Sequence, residues 1–148
     1  IPVLHNFEIH DIPRSRAYRE ARITAEGLIN ENPQLKIVVD LHRDGVARNV
    51  TTESIEGKNV GKILTVVGSG NESWRSNQQM ATALHKKLEA LAPGISRGTK
   101  ERSLVYNQDL HPRAMLIEVG GHENSLEENL ATIPYLAQAL AEMYLELQ

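Results

Sequence analysis

Cysteine is absent from this chain of 148 residues, so neither a disulfide framework nor a thiolate metal site can be built from it. That suits a cytosolic protein and equally a secreted domain that never relied on disulfides. Also missing is any apolar stretch near the roughly 20 residues that a bilayer-spanning helix needs, and the first residues do not follow a signal-peptide pattern. An excess of one sign of charge is lacking too: 16 Lys and Arg against 19 Asp and Glu leave a formal net charge of −3, which gives no electrostatic reason to expect a nucleic-acid or anionic-membrane partner. Basic residues gather only locally, at Arg14, Arg16, Arg19 and Arg22 and again at Arg97, Lys100 and Arg102. Neither Gly68-Ser69-Gly70 nor Gly120-Gly121 has the spacing or the lysine of a phosphate loop. Ser69 and Ser96 lack a nucleophile-elbow setting, which leaves serine hydrolysis without support.

What is present alternates. Ser15 to about Leu28 has the spacing of a helix, stopped by Asn30-Glu31-Asn32-Pro33 because the residue before proline avoids helical geometry. Lys36 to Leu41 is a nearly continuous apolar run, the pattern of a strand buried on both faces. The polar, glycine-punctuated stretch from Arg43 to Lys58 reads as a loop or a weak edge hairpin. Ile63 to Val67 is a second strand, and Trp74 to Leu91 a helix whose apolar stripe is Met80, Leu84, Leu88 and Leu91. Ser103 to Tyr106 reads as a short strand and Ala114 to Val119 as a buried one. Ser125-x-x-Glu128 resembles a capping box that opens a closing helix. Ile1-Pro2-Val3-Leu4 looks like a strand entered midway. The expected architecture is α/β: a single domain over residues 1–148, with a mostly parallel twisted sheet flanked by helices.

Two strands empty into chemistry. Ile37-Val38-Val39 runs into Asp40-Leu41-His42-Arg43-Asp44, and Met115-Leu116-Ile117 runs into Glu118 and the Gly120-Gly121 turn. Open α/β sheets keep ligand sites at such ends. An imidazole and a carboxylate together suggest metal-assisted hydrolysis. His42 is the candidate metal ligand, with Asp40 or Asp44 orienting its other ring nitrogen. Glu118 is the candidate general base, since a partly desolvated carboxylate has the raised pKa that the role wants. The plainer alternatives are a histidine hydrogen-bonded at a strand end and a glutamate paired with a neighbouring arginine.

Several segments together resemble the stage II sporulation protein P family, bacterial cell-wall hydrolases of the N-acetylmuramoyl-L-alanine amidase group. They are Val3-Leu4-His5, Ile9-His10-Asp11, Val39 to Asp44, Val66-Val67-Gly68, Pro93 to Gly98, Tyr106 to Leu110, Leu116 to Gly120 and Asn124 to Glu128, in family order. The resemblance implies a zinc enzyme that cuts the amide between N-acetylmuramic acid and L-alanine in peptidoglycan. His42 would ligate the zinc and Glu118 would be the catalytic acid/base. Arg43 and Arg102 are candidates for binding the carboxylates of a peptide stem, and Asn107 for its backbone. Members of the family carry a preceding strand with a His-Thr-His-like motif and a further acidic ligand, and this chain begins after that point. The expectation is therefore an amidase-like catalytic domain lacking the family's first strand, with His5, Glu8 and His10 the candidates near its amino terminus to substitute for the missing ligands. The resemblance also implies an extracytoplasmic setting at the cell wall or membrane, through an anchor outside these residues. Peptidoglycan and other cell-wall remodelling proteins would be the partners. The alternative is a wall-binding or regulatory module on the amidase scaffold that does no chemistry.

Overall fold

The computed structural model describes residues 1–10 and 12–147, and its contacts divide the chain into two compact units, the first ending at Lys36 and the second beginning at Ile37. In the first, helix α1 spans Ala17–Glu31 after a 3-10 turn at Arg14–Arg16. Asn32 closes it: its backbone N–H and its side-chain amide both donate to the Leu28 carbonyl, at 3.1 and 2.9 Å. Residues 1–4 are not a strand. They are exposed and, among the described residues, belong to no ladder. Glu8 and His10 both meet Thr24 of α1: the hydroxyl donates to Glu8 Oε2 at 2.9 Å and lies 2.9 Å from His10 Nε2.

The second unit is the α/β body. Strands β1 (Val38–Asp44), β4 (Ile63–Gly68), β5 (Ser96–Arg102) and β6 (Ala114–Gly121) form one sheet in the order β1-β6-β4-β5. β1 runs parallel to β6 and β5 parallel to β4, while β4 and β6 are antiparallel. Between β1 and β4, a turn of helix α2 (Arg48–Thr51) leads into an antiparallel hairpin of β2 (Thr52–Ile55) and β3 (Lys58–Gly61). The hairpin turns on Glu56 and Gly57, both at positive φ (51° and 78°), as a two-residue loop between right-twisted strands requires. The weak hairpin expected in this stretch thus forms, as a sheet of its own.

Alternation along the strands sorts residues between two faces. One face carries Ile63, Met115, Ile117 and Val119 under α3 (Trp74–Leu91) and α4 (Leu126–Glu146), which contribute Leu84, Leu88, Leu136, Ala139 and Met143. The other has a smaller apolar floor of Leu64, Val66 and Leu116, with Tyr106 against it. The capping box at the start of α4 is complete: Glu128 N donates to Ser125 Oγ at 3.2 Å and Ser125 N to Glu128 Oε2 at 2.9 Å.

Two strand expectations need correction. β1 is not buried on both faces: Val39 is 37% exposed and Leu41 55%, because α3 and α4 pack chiefly over the strands beyond it and, among the described residues, β1 is an edge strand paired with β6. Ser103 to Tyr106 is not a strand. The strand is Ser96–Arg102, and the chain then turns, with Tyr106 and Asn107 at positive φ. β5 escapes the hydrophobic pattern because it too is an edge strand, rich in charge, whose ladder with β4 already satisfies its backbone without an apolar face.

Candidate functional site

Period-two alternation puts Asp40, His42 and Asp44 on one face of β1, and Leu116 and Glu118 on the corresponding face of β6. The parallel register sets His42 directly beside Glu118. The antiparallel register sets Leu64 on the other side of Glu118. On β5, Ser96 lies opposite Ile63 and Thr99 opposite Thr65, with an irregularity between. Arg97 and Gly98 therefore complete the row that runs His42, Glu118, Leu64. This is the face away from α3 and α4, so the ionisable residues sit beside the small apolar floor and not in the main core.

Within the row, His42 Nε2 lies 3.0 Å from Asp40 Oδ1, both side chains about one-third exposed. The hydrogen bond to Asp40 raises the His42 pKa above its ordinary value. Partial burial opposes this, and the charges of Asp40 and Glu118 add to it. Burial pushes the Glu118 carboxyl up. His42 pulls it down, Asp44 pushes up, and Arg97 and Asp40 act more weakly in opposite senses. Glu118 Oε2 is buried and without a hydrogen-bond partner, which is costly for a carboxylate and favours its protonated form. Asp44 turns away from His42 to Arg97, whose Nη1 donates to Asp44 Oδ2 at 2.7 Å. Their side chains are only 17% and 15% exposed.

The imidazole and carboxylates of this row are ligand types that zinc accepts. Among the described residues, however, no three His, Asp or Glu side chains converge to hold a metal ion. Glu8 and His10 are engaged with Thr24 in the first unit. Among the described residues the row offers one imidazole with carboxylates nearby, short of the three protein ligands that a catalytic zinc usually takes.

Of the residues singled out from sequence, His42 and Glu118 are brought together. Arg43 alternates to the other face of β1. Its Nη2 donates to the carbonyls of Gly121 (2.9 Å) and Asn124, and the Asn129 amide oxygen, when turned towards it, accepts from Nε at 3.1 Å. Arg102 and Asn107 stand at the opposite end of the sheet. Arg102 pairs with Gly68, four residues along β4 from the Leu64 level, roughly 13 Å at strand rise. The reversal of direction between β6 and β4 causes this separation: the carboxyl ends of β4 and β5 point away from those of β1 and β6.

The turn after Glu118 is braced from several sides. Asn124 Oδ1 accepts from Gly121 N (2.8 Å) and Thr51 Oγ1 (2.7 Å), while its Nδ2 donates to Thr52 Oγ1 at 2.7 Å. Arg48 forms a two-pronged ion pair with Glu128, which holds that carboxyl down at about 2, chiefly through these hydrogen bonds. Gly121 permits the close approach: a Cβ there would lie 2.8 Å from the Val46 carbonyl. Sequence reasoning missed Arg97 and the Arg48–Glu128 pair. The capping-box glutamate was the visible signal for the second, and for the first only membership of a basic cluster.

The family model described as "Stage II sporulation protein P (SpoIIP)" matches residues 1–141 of this chain. The Stage II sporulation protein P of Bacillus subtilis (strain 168) is 36% identical to it over 135 residues, covering 88% of this chain. The chain spans about a third (34%) of that relative's length.

Proposed function

The chain belongs to the stage II sporulation protein P family, and from that premise we propose that it is the hydrolytic part of a zinc-assisted peptidoglycan amidase. Its substrate bond would be the amide between N-acetylmuramic acid and the L-alanine of the stem peptide. The observation that carries this reading is the in-register His42–Glu118 pair, with one Glu118 oxygen buried and unpartnered.

In this scheme Glu118 is the catalytic acid/base. Partial burial keeps its affinity for a proton high, so it takes the proton of the attacking water and returns it to the leaving nitrogen. His42 is a zinc ligand held in orientation by Asp40, and the remaining ligands come from outside the residue groups described above. When bound, zinc supplies polarisation of the scissile carbonyl and a more acidic water. Arg43 contributes by holding the turn that follows Glu118. Arg102 and Asn107 contact the peptide stem away from the scissile bond, at the far end of the sheet. The working place is the cell wall outside the cytoplasmic membrane, with other wall-remodelling proteins as partners. Among the described residues no helix is long and apolar enough to cross a membrane.

The test is release of stem peptides from purified peptidoglycan by the zinc-loaded full-length protein. Glu118→Gln should lower the rate by about 10²–10⁴-fold, as loss of a positioned acid/base does, with zinc content unchanged. Full activity in that variant would remove Glu118 from its assigned role.

A second reading, a wall-binding module that does no chemistry, is favoured by the lack of a three-ligand cluster among the described residues. It predicts retention on peptidoglycan in the presence of a chelator, with no soluble product after long incubation.

A further inference from the structure

Arg97 does more than tie the two edges of the sheet together. We propose that its guanidinium is the anion-binding element of the site, receiving a negatively charged oxygen of the substrate beside Glu118. This rests on the amidase reading for the identity of the substrate and on the geometry of the row for everything else.

Three observations carry it. The first is placement. β5 brings Arg97 into the row of His42, Glu118 and Leu64, and its side chain reaches across to Asp44 on the opposite edge strand. The guanidinium thus spans the two central strands at the level of the candidate acid/base. The second is unused capacity. A guanidinium offers five N–H donors, and the hydrogen bond that Arg97 makes among the described residues uses one of them, to Asp44 Oδ2. The third is the charge balance. Asp40, Asp44 and Glu118 line this face and would repel an anionic ligand, and Arg97 is the arginine or lysine placed among them. Its side chain is 15% exposed, so its charge is screened less than that of a surface arginine.

A mere strap would be a poor use of these residues. A largely buried ion pair loses solvation of both partners and gives little net stability, and an arginine held by one edge leaves its planar fork available to a carboxylate or an oxyanion. Asp44, fixed through its own backbone carbonyl to His122 N at 2.9 Å, sets the orientation of that fork. Two substrate groups share the required chemistry: a carboxylate of the peptide stem, and the oxyanion that develops at the scissile carbonyl.

The test is calorimetric titration of the full-length protein and its Arg97→Ala, Arg97→Gln and Arg97→Lys variants with three probes. These are a muropeptide with a free stem carboxylate, the same muropeptide amidated, and a phosphinate isostere of the scissile amide. Arg97→Ala and Arg97→Gln should weaken an anionic probe by roughly ten- to a hundredfold, the worth of a hydrogen bond to a charged group, and Arg97→Lys less. Loss confined to the free carboxylate identifies the stem as the ligand; loss confined to the phosphinate identifies the oxyanion. Affinities that do not change, or that fall equally for the amidated probe, would overturn the proposal and leave Arg97 a structural strap. Hydrolysis by the wild-type protein is scored separately, so failure of the amidase reading shows as absent product whatever Arg97 does to binding.

Discussion

Ile117 and Glu118 are neighbours in β6, yet one is sealed beneath α3 and α4 and the other faces Asp40, His42, Asp44 and Arg97. The same ladder of hydrogen bonds holds both. On the helix side most neighbours of Ile117 are apolar, Thr65 being its polar ladder partner, and burial is favourable at roughly 25 cal/mol per Å². On the site side ionisable groups share the face with Leu64, and burial of the Glu118 carboxyl is unfavourable in its charged form. One strand therefore gains stability on one face and carries a costly buried carboxyl on the other. The rigid face is what allows the costly one to persist.

Changes on the two faces should separate cleanly. Ile117→Ala should cost about 2–5 kcal/mol, the usual range for emptying a buried aliphatic site, read from the midpoint of urea unfolding. Glu118→Gln should not lower that midpoint at neutral pH. Because burial raises the folded pKa of Glu118, its contribution is fully present below the unfolded value and is lost as pH rises through the folded one. The glutamine variant should lack that loss, and a lower midpoint at pH 7 would contradict an unpartnered carboxylate. Ser125→Ala removes the helix cap that positions Glu128 and should cost about 1 kcal/mol. Asp40→Asn should have the smallest effect, under about 1 kcal/mol, since both partners are one-third exposed and screened. Its sign is fixed. With metal removed, Asp40 raises the His42 pKa, so its contribution is present below the unfolded histidine value and vanishes as pH rises through the folded one. Wild type and variant should then converge at alkaline pH, and proton NMR titration of His42 should show the variant titrating lower.

How much of this was legible beforehand depends on the range of the interaction. The strand Ile63–Val67, the helix Trp74–Leu91 and the Ser125 cap are local patterns, and each forms where periodicity and cap chemistry place it. The meeting of His42 and Glu118 was foreseeable as two strand ends of one parallel pair. The edge strands were not. Nothing local distinguishes an apolar run with one free edge, such as β1, from a central strand, and a charged run such as β5 carries no apolar signal. Least legible were the pairs that only the finished topology creates: Arg97 with Asp44 across four strands, and Arg43 with the Gly121 carbonyl 78 residues away.

The reversal between β6 and β4 also decides where this molecule can be modified. Connections that follow β4 and β5 emerge at the rim remote from Glu118, while those that follow β1 and β6 emerge beside it. A fluorophore or short peptide grafted near Ser103 would therefore lie clear of the candidate acid/base, though beside Arg102. The same graft between Gly121 and Asn124 would dislodge the amide that fastens the turn. The chain carries its own map of permissive and forbidden insertion points, drawn by the direction of a single strand.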